Sequence, residues 1–414
     1  NMQARFNHIR ARVPAGMHRI GVAFVERSYA QSDSPLQPIA MLPEMERYPN
    51  IPGFDVSGPF NVSSVGETPS RQRIFICRPA AEAEEAPCAR RILSKLATEA
   101  FRRPVTQEEL AAPLQFYASG RAAGNFESGI ESGLTAILAS TRFLFRAETS
   151  AATAMEAPKP LTDIELASRL SFFLWSEGPD QKLVEAATAG RLHEPAVLAA
   201  EVRRMLADPR SSTLVTNFAF QWLNVPQIDK IQPDPVIYPT FDPNLRRGFR
   251  EEIRLFLDSV LRADRSVLDL LRSDTTFLNE RLALQYGIQN IRGDQFRPVK
   301  LADPNRFGLF GKGAVLMGTS YGNRTSPVLR GAYILENITG TPPTPPPPGV
   351  EQFKETEAGH KAQTVRDRLE AHRANKSCNA CHGVIDPLGF ALENYDVTGA
   401  WRDRDRDAGE AIDS

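Results

Sequence analysis

Two cysteines and a histidine near the end of the chain form the residue pattern best suited to chemistry. Cys378, Cys381 and His382 lie in the run Cys-Asn-Ala-Cys-His, a C-x-x-C-H spacing that is typical of covalent haem attachment. Two thiols three positions apart can reach the two vinyl groups of one porphyrin, and the adjacent histidine then lies over the iron as an axial ligand. A zinc site would need a second close Cys or His pair, and a thioredoxin-like pair would need a βαβ context. The run therefore predicts one covalent haem c.

The other two cysteines, Cys77 and Cys88, do not fit that pattern. Cys77 ends a strand-like apolar run that starts at Ile74, and Cys88 opens a helical pattern. A disulfide between them would close a loop of about a dozen residues and contribute about 3 kcal/mol through loop entropy. The alternative is two unpaired buried thiols. Because haem attachment implies an oxidising compartment, the disulfide is the favoured prediction.

The composition of the chain limits the kinds of binding partner and the cellular locations that are compatible with it. Lys and Arg total 49 and Asp and Glu total 50, so the chain has no net basic field to gather nucleic acid. No stretch approaches the roughly 20 apolar residues that cross a bilayer, so no membrane span is expected in this chain. Residues 1–12 contain charges and no apolar run. We therefore expect an export signal that was removed or lies upstream in a longer protein, and a periplasmic, outer-surface or extracellular location.

The first part of the chain predicts β-structure and loop. Residues 1–78 contain alternating runs, such as His18–Val25 and Arg73–Cys77, divided by Pro and Gly clusters and without a helical period. This segment is interpreted as part of a larger β-sandwich-like domain. The remaining elements are helical, so the expected fold class is mainly α and multidomain, with helical domains, a c-type haem domain and this β-rich N-terminal segment.

Three further domains follow from the helical pattern. Residues 86–150 predict a small helical domain, in which Thr106 and Glu109 form a capping box. Residues 158–298 predict a second helical domain, opened by a Thr162 and Glu165 box. Residues 299–414 form the expected haem domain, with a polyproline spacer at 341–349. The individual helices expected after the second box are Pro195–Asp208, Ser211–Leu223, Pro243–Arg262, Ser266–Leu271 and Thr364–Asn375.

Several segments together resemble the planctomycete-type cytochrome c family, whose members are large exported multidomain proteins of poorly defined function. The similar segments are Cys88–Thr106, Leu138–Arg146, Leu161–Trp175, Thr325–Gly331, Leu335–Pro348 and His372–Arg402. The resemblance spans about three quarters of the chain. It implies a c-type cytochrome with helical domains around the haem, usually with further domains beyond both ends and sometimes a second haem. It does not supply a substrate.

The ligand on the other side of the iron is open. His372 lies on the inward face of its predicted helix, six residues before Cys378. Met317 is the best-placed methionine, at the end of the apolar run Phe307–Met317, which could cover the opposite face of the haem. An open position, or another residue, is the third alternative. His382 itself should donate its second ring N–H to a nearby acceptor, and the Asp386-Pro387 turn is the nearest source.

Other residues could complete the pocket. Haem propionates need donors, and Arg324 and Arg330 flank the segment Thr325–Pro327, while Trp401 and Arg402 follow the haem motif. Each arginine could equally form an ordinary surface ion pair. A turn that contains Pro387 is expected to wrap the side of the haem that His382 occupies.

Three functions are compatible with these residues. The leading hypothesis is an exported cytochrome module that transfers electrons to a redox partner protein or an attached domain, within a larger oxidoreductase or assembly. The second is catalysis with peroxide or oxygen at an open iron position. The third is a mainly structural or carbohydrate-binding protein with a subsidiary haem. Whether the chain is an enzyme stays open, and an oxidoreductase component is the class considered.

Overall fold

A computed structural model describes residues 9–14, 16, 18–21, 54–58, 60–61, 66–146, 160–344, 364–406 and 408–413. Backbone contacts divide the chain into two compact units. The first comprises Asn1–Phe172 with Glu177–Leu198, and the second comprises Phe173–Ser176 with Ala199–Ser414. Within the described ranges, no helix is long and apolar enough to span a bilayer.

The first unit is helical. Its helices are α1 (Pro69–Ile74), α2 (Glu82–Phe101), α3 (Gln107–Ala123), α4 (Phe126–Leu138), α5 (Thr141–Leu144), most of α6 (Asp163–Trp175), α7 (Gln181–Thr188) and the start of α8 (Pro195–Ala207). Helix α2 buries one apolar stripe against α3 and α4, with Ile92 and Leu93 fully buried at its centre. Both predicted capping boxes are present, since Thr106 and Glu109 exchange side-chain to backbone hydrogen bonds, as do Thr162 and Glu165.

The second unit is built around α10 (Pro243–Arg262). Its other elements are the rest of α8, α9 (Phe220–Trp222), α11 (Asp269–Arg272), β1 (Thr275–Leu278), α12 (Glu280–Gln285), β2 (Arg297–Lys300), α13 (Gly313–Gly318), α14 (Pro327–Tyr333), α15 (Val365–Arg373) and α16 (Lys376–Phe390). Shorter 3-10 segments are Pro209–Ser212, Val225–Asp229, Pro304–Arg306 and Leu309–Gly311, and π-helical segments are Leu214–Ala219 and Ile334–Thr339. The two strands pair antiparallel, with Thr275 opposite Lys300.

The predicted β-rich start is wrong where it can be compared with the structure. The described residues of segment 1–78 contain no strand, and the expected strand Arg73–Cys77 begins inside α1. Thr68 explains the difference, because its side chain accepts a hydrogen bond from Arg71 N and Pro69 occupies the first helical turn. A four-residue apolar run is too short to separate strand from helix. Residues 22–25 of the other expected strand lie outside the described residues.

The predicted disulfide is present. Cys77 and Cys88 are joined, with their Cα atoms 6.0 Å apart. Cys88 lies inside α2 and not at its start, because three acidic residues, Glu82, Glu84 and Glu85, favour a helix start six residues earlier. The bond therefore ties the chain after α1 to the buried face of α2. Such a bond is consistent with an extracytoplasmic location.

The helices predicted for the second unit match the structure to different degrees, and the one expected at Ser266–Leu271 is present only as Asp269–Arg272. Pro243–Arg262 has the predicted bounds, and Asp242 caps it by accepting from Leu245 N. The expected helix Ser211–Leu223 is instead a 3-10 turn, a π-helical segment and the short α9. Of the expected polyproline spacer, residues 341–344 are described without regular structure, and residues 345–349 lie outside the described residues. The four-domain division of the chain stays a prediction.

Candidate functional site

Helices α15 and α16 carry the residues of the haem-attachment motif and its surroundings. Thr364 starts α15 through a capping box with Asp367, and Asn375 starts α16 by accepting from Ser377 N. Only Ala374 and Asn375 separate the two helices. The short connection keeps the end of α15 next to the start of α16.

Helix α16 is held in place by an unusually close contact with α14. A Cβ atom on Gly389 would lie 1.8 Å from the carbonyl oxygen of Pro327, and one on Gly331 would lie 1.9 Å from that of Ile385. Only glycine permits this approach of two helix backbones. The segment Thr325–Gly331 therefore packs directly against the helix that bears the motif, although the proline-rich run separates the two in sequence.

Cys378, Cys381 and His382 lie on one side of α16. Positions three and four apart are neighbours on a helix surface, so Cys378 is adjacent to both of the others. Both cysteines are free thiols and are partly exposed, as is His382. The arrangement presents two unpaired thiols and one imidazole at one helix surface.

Asp386 orients His382 from one turn further along the same helix. The Nδ1 atom of His382 is 2.9 Å from Oδ1 of Asp386, as the sequence suggested for this pair. Asp386 is fully buried, and burial raises the pKa of its carboxyl group, while the hydrogen bond from His382 and the nearby Arg373 act in the opposite direction. Because Nδ1 is engaged by the carboxylate, Nε2 is the nitrogen left to bind a metal.

The predicted turn at Asp386-Pro387 is wrong. Helix α16 continues through Pro387 to Phe390. Proline in a helix interior removes one hydrogen bond and crowds the carbonyl four residues earlier. That residue is Gly383, which has no side chain and is exposed, so its carbonyl can be hydrated. Pro387 is itself exposed.

His372 meets His382 at the end of α15. The two imidazole rings are nearly perpendicular, with their centroids 4.8 Å apart. Helix α15 is anchored here by Leu369, which is fully buried. The structure therefore brings together two of the three predicted iron ligands.

Met317, the third predicted ligand, lies in a different environment. It is fully buried in α13 and belongs to the main apolar core of the second unit, with Phe249 and Leu309 among its neighbours. No described residue of 364–390 belongs to that core. Leu316, the preceding residue, is the one that packs against the chain after α16, at Leu392.

Arg330 is committed to the backbone that follows α16. It is fully buried and donates to the carbonyl oxygens of Leu392, Tyr395 and Asp396 at 2.5, 2.8 and 3.1 Å. Burial lowers its pKa to about 10, against the attraction of Glu393. These bonds favour a structural role over the predicted contact with a haem propionate.

Glu393 and its partners form the rest of this buried network. Its carboxylate accepts from Thr325 Oγ1 at 2.6 Å and also pairs with Arg402. Asp396 caps the following turn by accepting from the backbone N–H groups of Thr398 and Ala400.

Arg324 and Trp401, which were also predicted to complete the haem pocket, lie nearer the surface. Arg324 stacks on the ring of Tyr321 at 4.4 Å. Trp401 is 42% exposed, donates to Asp403 from Nε1 and packs edge-on against Tyr395. The pocket roles predicted for Arg324 and Trp401 stay predictions.

A second buried polar cluster lies in the core of the same unit. Glu252 is fully buried and accepts from Thr276 Oγ1 and Tyr286 OH, both at 2.6 Å. Lys312 Nζ lies 3.7 Å from Glu252, and burial lowers the pKa of this lysine and raises that of Tyr286. Tyr286 OH also accepts from Gly313 N. The cluster links α10 and β1 to the end of α12 and the start of α13.

Sequence reasoning missed three features of the site. Arg373, whose Nε lies 3.8 Å from Asp386 Oδ2, stands in a charged helix with no distinguishing pattern. Gly331 and Gly389 are single glycines inside apolar segments of the sequence. Such a glycine can indicate a close approach of two backbones, but it does not identify the segment that approaches. Across the ranges that the structure describes, no group of three or more His, Cys, Asp or Glu side chains converges as a metal site.

Three family models match the chain in succession. They are PSD5 at residues 88–148, PSD4 at 161–288 and PSCyt3 at 306–405, described as proteins of unknown function DUF1595, DUF1592 and DUF1588 respectively. Together they cover more than two thirds of the chain. The chain belongs to the planctomycete-type cytochrome and PSD family, whose function is unknown. Neither a curated protein nor a solved structure matches it.

Proposed function

We propose that this chain is an exported electron-transfer module that carries one haem c on α16. Cys378 and Cys381 would hold the haem through thioether bonds, and His382 would bind the iron. The observation that carries the proposal is the placement of two free, partly exposed thiols beside an imidazole that a buried carboxylate orients. The PSCyt3 match at residues 306–405, which contains these residues, is consistent with a cytochrome-like module.

Each residue of the site has a definite task under this proposal. The two cysteines fix the position of the group without relying on a closed cavity. Asp386 would accept a hydrogen bond from the Nδ1–H group of His382, set the ring orientation and increase the basicity of Nε2. A haem iron bound there would exchange single electrons with a partner. The residues of the chain would hold and orient the haem and would not themselves be oxidised or reduced.

The close packing of α14 on α16 supports the same function. Electron transfer needs a ligand frame that moves little between oxidation states, and Gly331 and Gly389 allow two backbones to pack closely along the part of α16 that follows the motif. Arg330 fixes the backbone that leaves α16 through three carbonyl contacts. The motif therefore stands on a rigid base, which is the requirement for a redox module.

The location and partner follow from the same chemistry. Haem c attachment and the Cys77–Cys88 disulfide both favour an oxidising compartment, so we place the protein in the periplasm, on the outer surface or outside the cell. The partner would be a redox protein or a domain attached to the same polypeptide, within a larger oxidoreductase or assembly.

Attachment can be tested in a host that exports the chain and matures c-type cytochromes. The wild-type band should stain for haem after denaturing electrophoresis, and Cys378→Ser with Cys381→Ser should abolish the stain. The matched control is Cys77→Ser with Cys88→Ser, which also replaces two cysteines and should keep the stain. Retention of the stain in the variant that lacks Cys378 and Cys381 would contradict the proposal.

Asp386→Asn tests the orienting role separately. The variant should keep the covalent haem, since both cysteines remain, but its midpoint potential should rise because His382 loses basicity. Redox titration of both proteins measures the difference. An unchanged potential would show that Asp386 does not act on the iron through His382.

A further inference from the structure

The rings of His372 and His382 are in contact and join α15 to α16. The perpendicular rings lie with centroids 4.8 Å apart, and His372 belongs to the last turn of α15. The carboxylate of Asp386 is bound at Nδ1 of His382. The ring of His382 therefore has a second imidazole against it, a side chain that binds iron well.

We infer that His372 is the second axial ligand of the iron, opposite His382. The inference rests on the proposed function and adds to it the coordination state of the metal. The competing ligand, Met317, is fully buried in an apolar core that contains no described residue of α15 or α16. Moving that methionine to the motif would require unpacking α13 from α10, whereas His372 is already in contact.

Placing an iron and its macrocycle between the two rings requires the end of α15 to move away from α16. Contacts between the two helices oppose this movement. Arg373 lies over the ring of Phe390 at 5.7 Å, while Arg366 lies over the same ring at 4.2 Å. The Nε atom of Arg373 is 3.8 Å from the fully buried Asp386. The bond between the iron and His372 would have to offset the loss of these contacts.

Two imidazole ligands would decide between the functions left open by the motif. An iron with both axial positions filled has none for peroxide or oxygen, so the site would transfer electrons and not activate substrate. Methionine ligation would give a higher potential than two histidines. The inference therefore predicts a low-spin, low-potential centre that does not bind carbon monoxide.

The decisive experiment compares spectra of the exported, haem-loaded chain and three variants. His372→Ala should convert the iron from low-spin to high-spin, should gain carbon monoxide binding in the reduced state, and should return to low-spin when imidazole is added. Met317→Leu, a swap of similar volume, should leave the spectrum unchanged. His18→Ala, which removes an exposed histidine from the first unit, is the matched control.

A fourth variant keeps the test valid if His372→Ala misfolds. His372→Met should stay low-spin, show the near-infrared band of a sulfur ligand and raise the midpoint potential, effects that a purely packing role would not produce. A low-spin spectrum in His372→Ala without imidazole, or a high-spin spectrum in Met317→Leu, would overturn the inference while the covalent haem remains. A wild-type chain without covalent haem would instead overturn the proposed function, and this inference with it.

Discussion

Gly389→Ala should separate α14 from α16. The added Cβ would lie 1.8 Å from the carbonyl oxygen of Pro327, whereas real Cβ contacts are not found under 3.0 Å, so the two backbones must move apart by at least about 1.2 Å. Both atoms belong to helices with little freedom, so no side-chain rotation can relieve the clash. Overpacking of this kind costs about 1–3 kcal/mol, and we expect the upper end because Ile385 and Phe390 lose packing as the helices separate. Gly331→Ala should behave alike, through its contact with Ile385.

Urea unfolding followed by tryptophan fluorescence measures this cost. Gly248→Ala is the matched control, because its Cβ would lie 3.8 Å from Leu282 in ordinary contact inside α10, so the substitution should stabilise by up to about 1 kcal/mol. The double variant of Gly331 and Gly389 should cost less than the sum, since helices already apart accept the second methyl group readily. An unchanged midpoint in Gly389→Ala, or full additivity in the double variant, would refute this description of the contact.

Three further predictions test the surrounding structure. Arg330→Met should lower the free energy of unfolding by about 3–5 kcal/mol, because it leaves buried carbonyl groups without a donor and removes one of the two arginines beside Glu393; a loss under about 1 kcal/mol in urea unfolding would contradict the network. Cys77→Ser with Cys88→Ser should cost about 3 kcal/mol, and reducing agent should lower the melting temperature of the wild type but not of this variant. The hydrogen bond from Arg103 lowers the pKa of Glu109 from its ordinary 4.5 to about 2. The contribution of Glu109 to the free energy of unfolding is therefore present above pH 4.5 and is lost as the pH falls toward 2. Glu109→Gln should flatten this part of the stability profile, and a parallel profile would count against the ion pair.

Local side-chain to backbone bonds explain which helices were predictable from the sequence. The boxes at Thr106 and Thr162 and the cap at Asp242 each involve residues three positions apart, so their spacing is visible without the fold. The strand expected at Arg73–Cys77 failed because the Thr68 cap outweighed a short apolar alternation. The turn predicted at Pro387 is wrong because the helix continues through it. The carbonyl group that the proline leaves without a helical hydrogen bond is that of Gly383, which is exposed.

In the candidate site, too, some features could be predicted from the sequence and others could not. Cys378, Cys381 and His382 are adjacent in sequence, so their common helix face follows directly from their spacing. The roles suggested for Met317 and Arg330 depended on burial, and burial is set by long-range packing that one sequence does not reveal. The interlocked glycines on α14 and α16 have the same origin, since neither has a periodic partner in sequence.

Intact-protein mass spectrometry of the exported wild-type chain tests the central claim most directly, combined with haem quantitation by pyridine haemochrome. One covalent haem per chain is predicted, lost when Cys378 and Cys381 are both replaced by serine. A mass that matches the polypeptide alone, or haem that acid acetone extracts, would contradict the account.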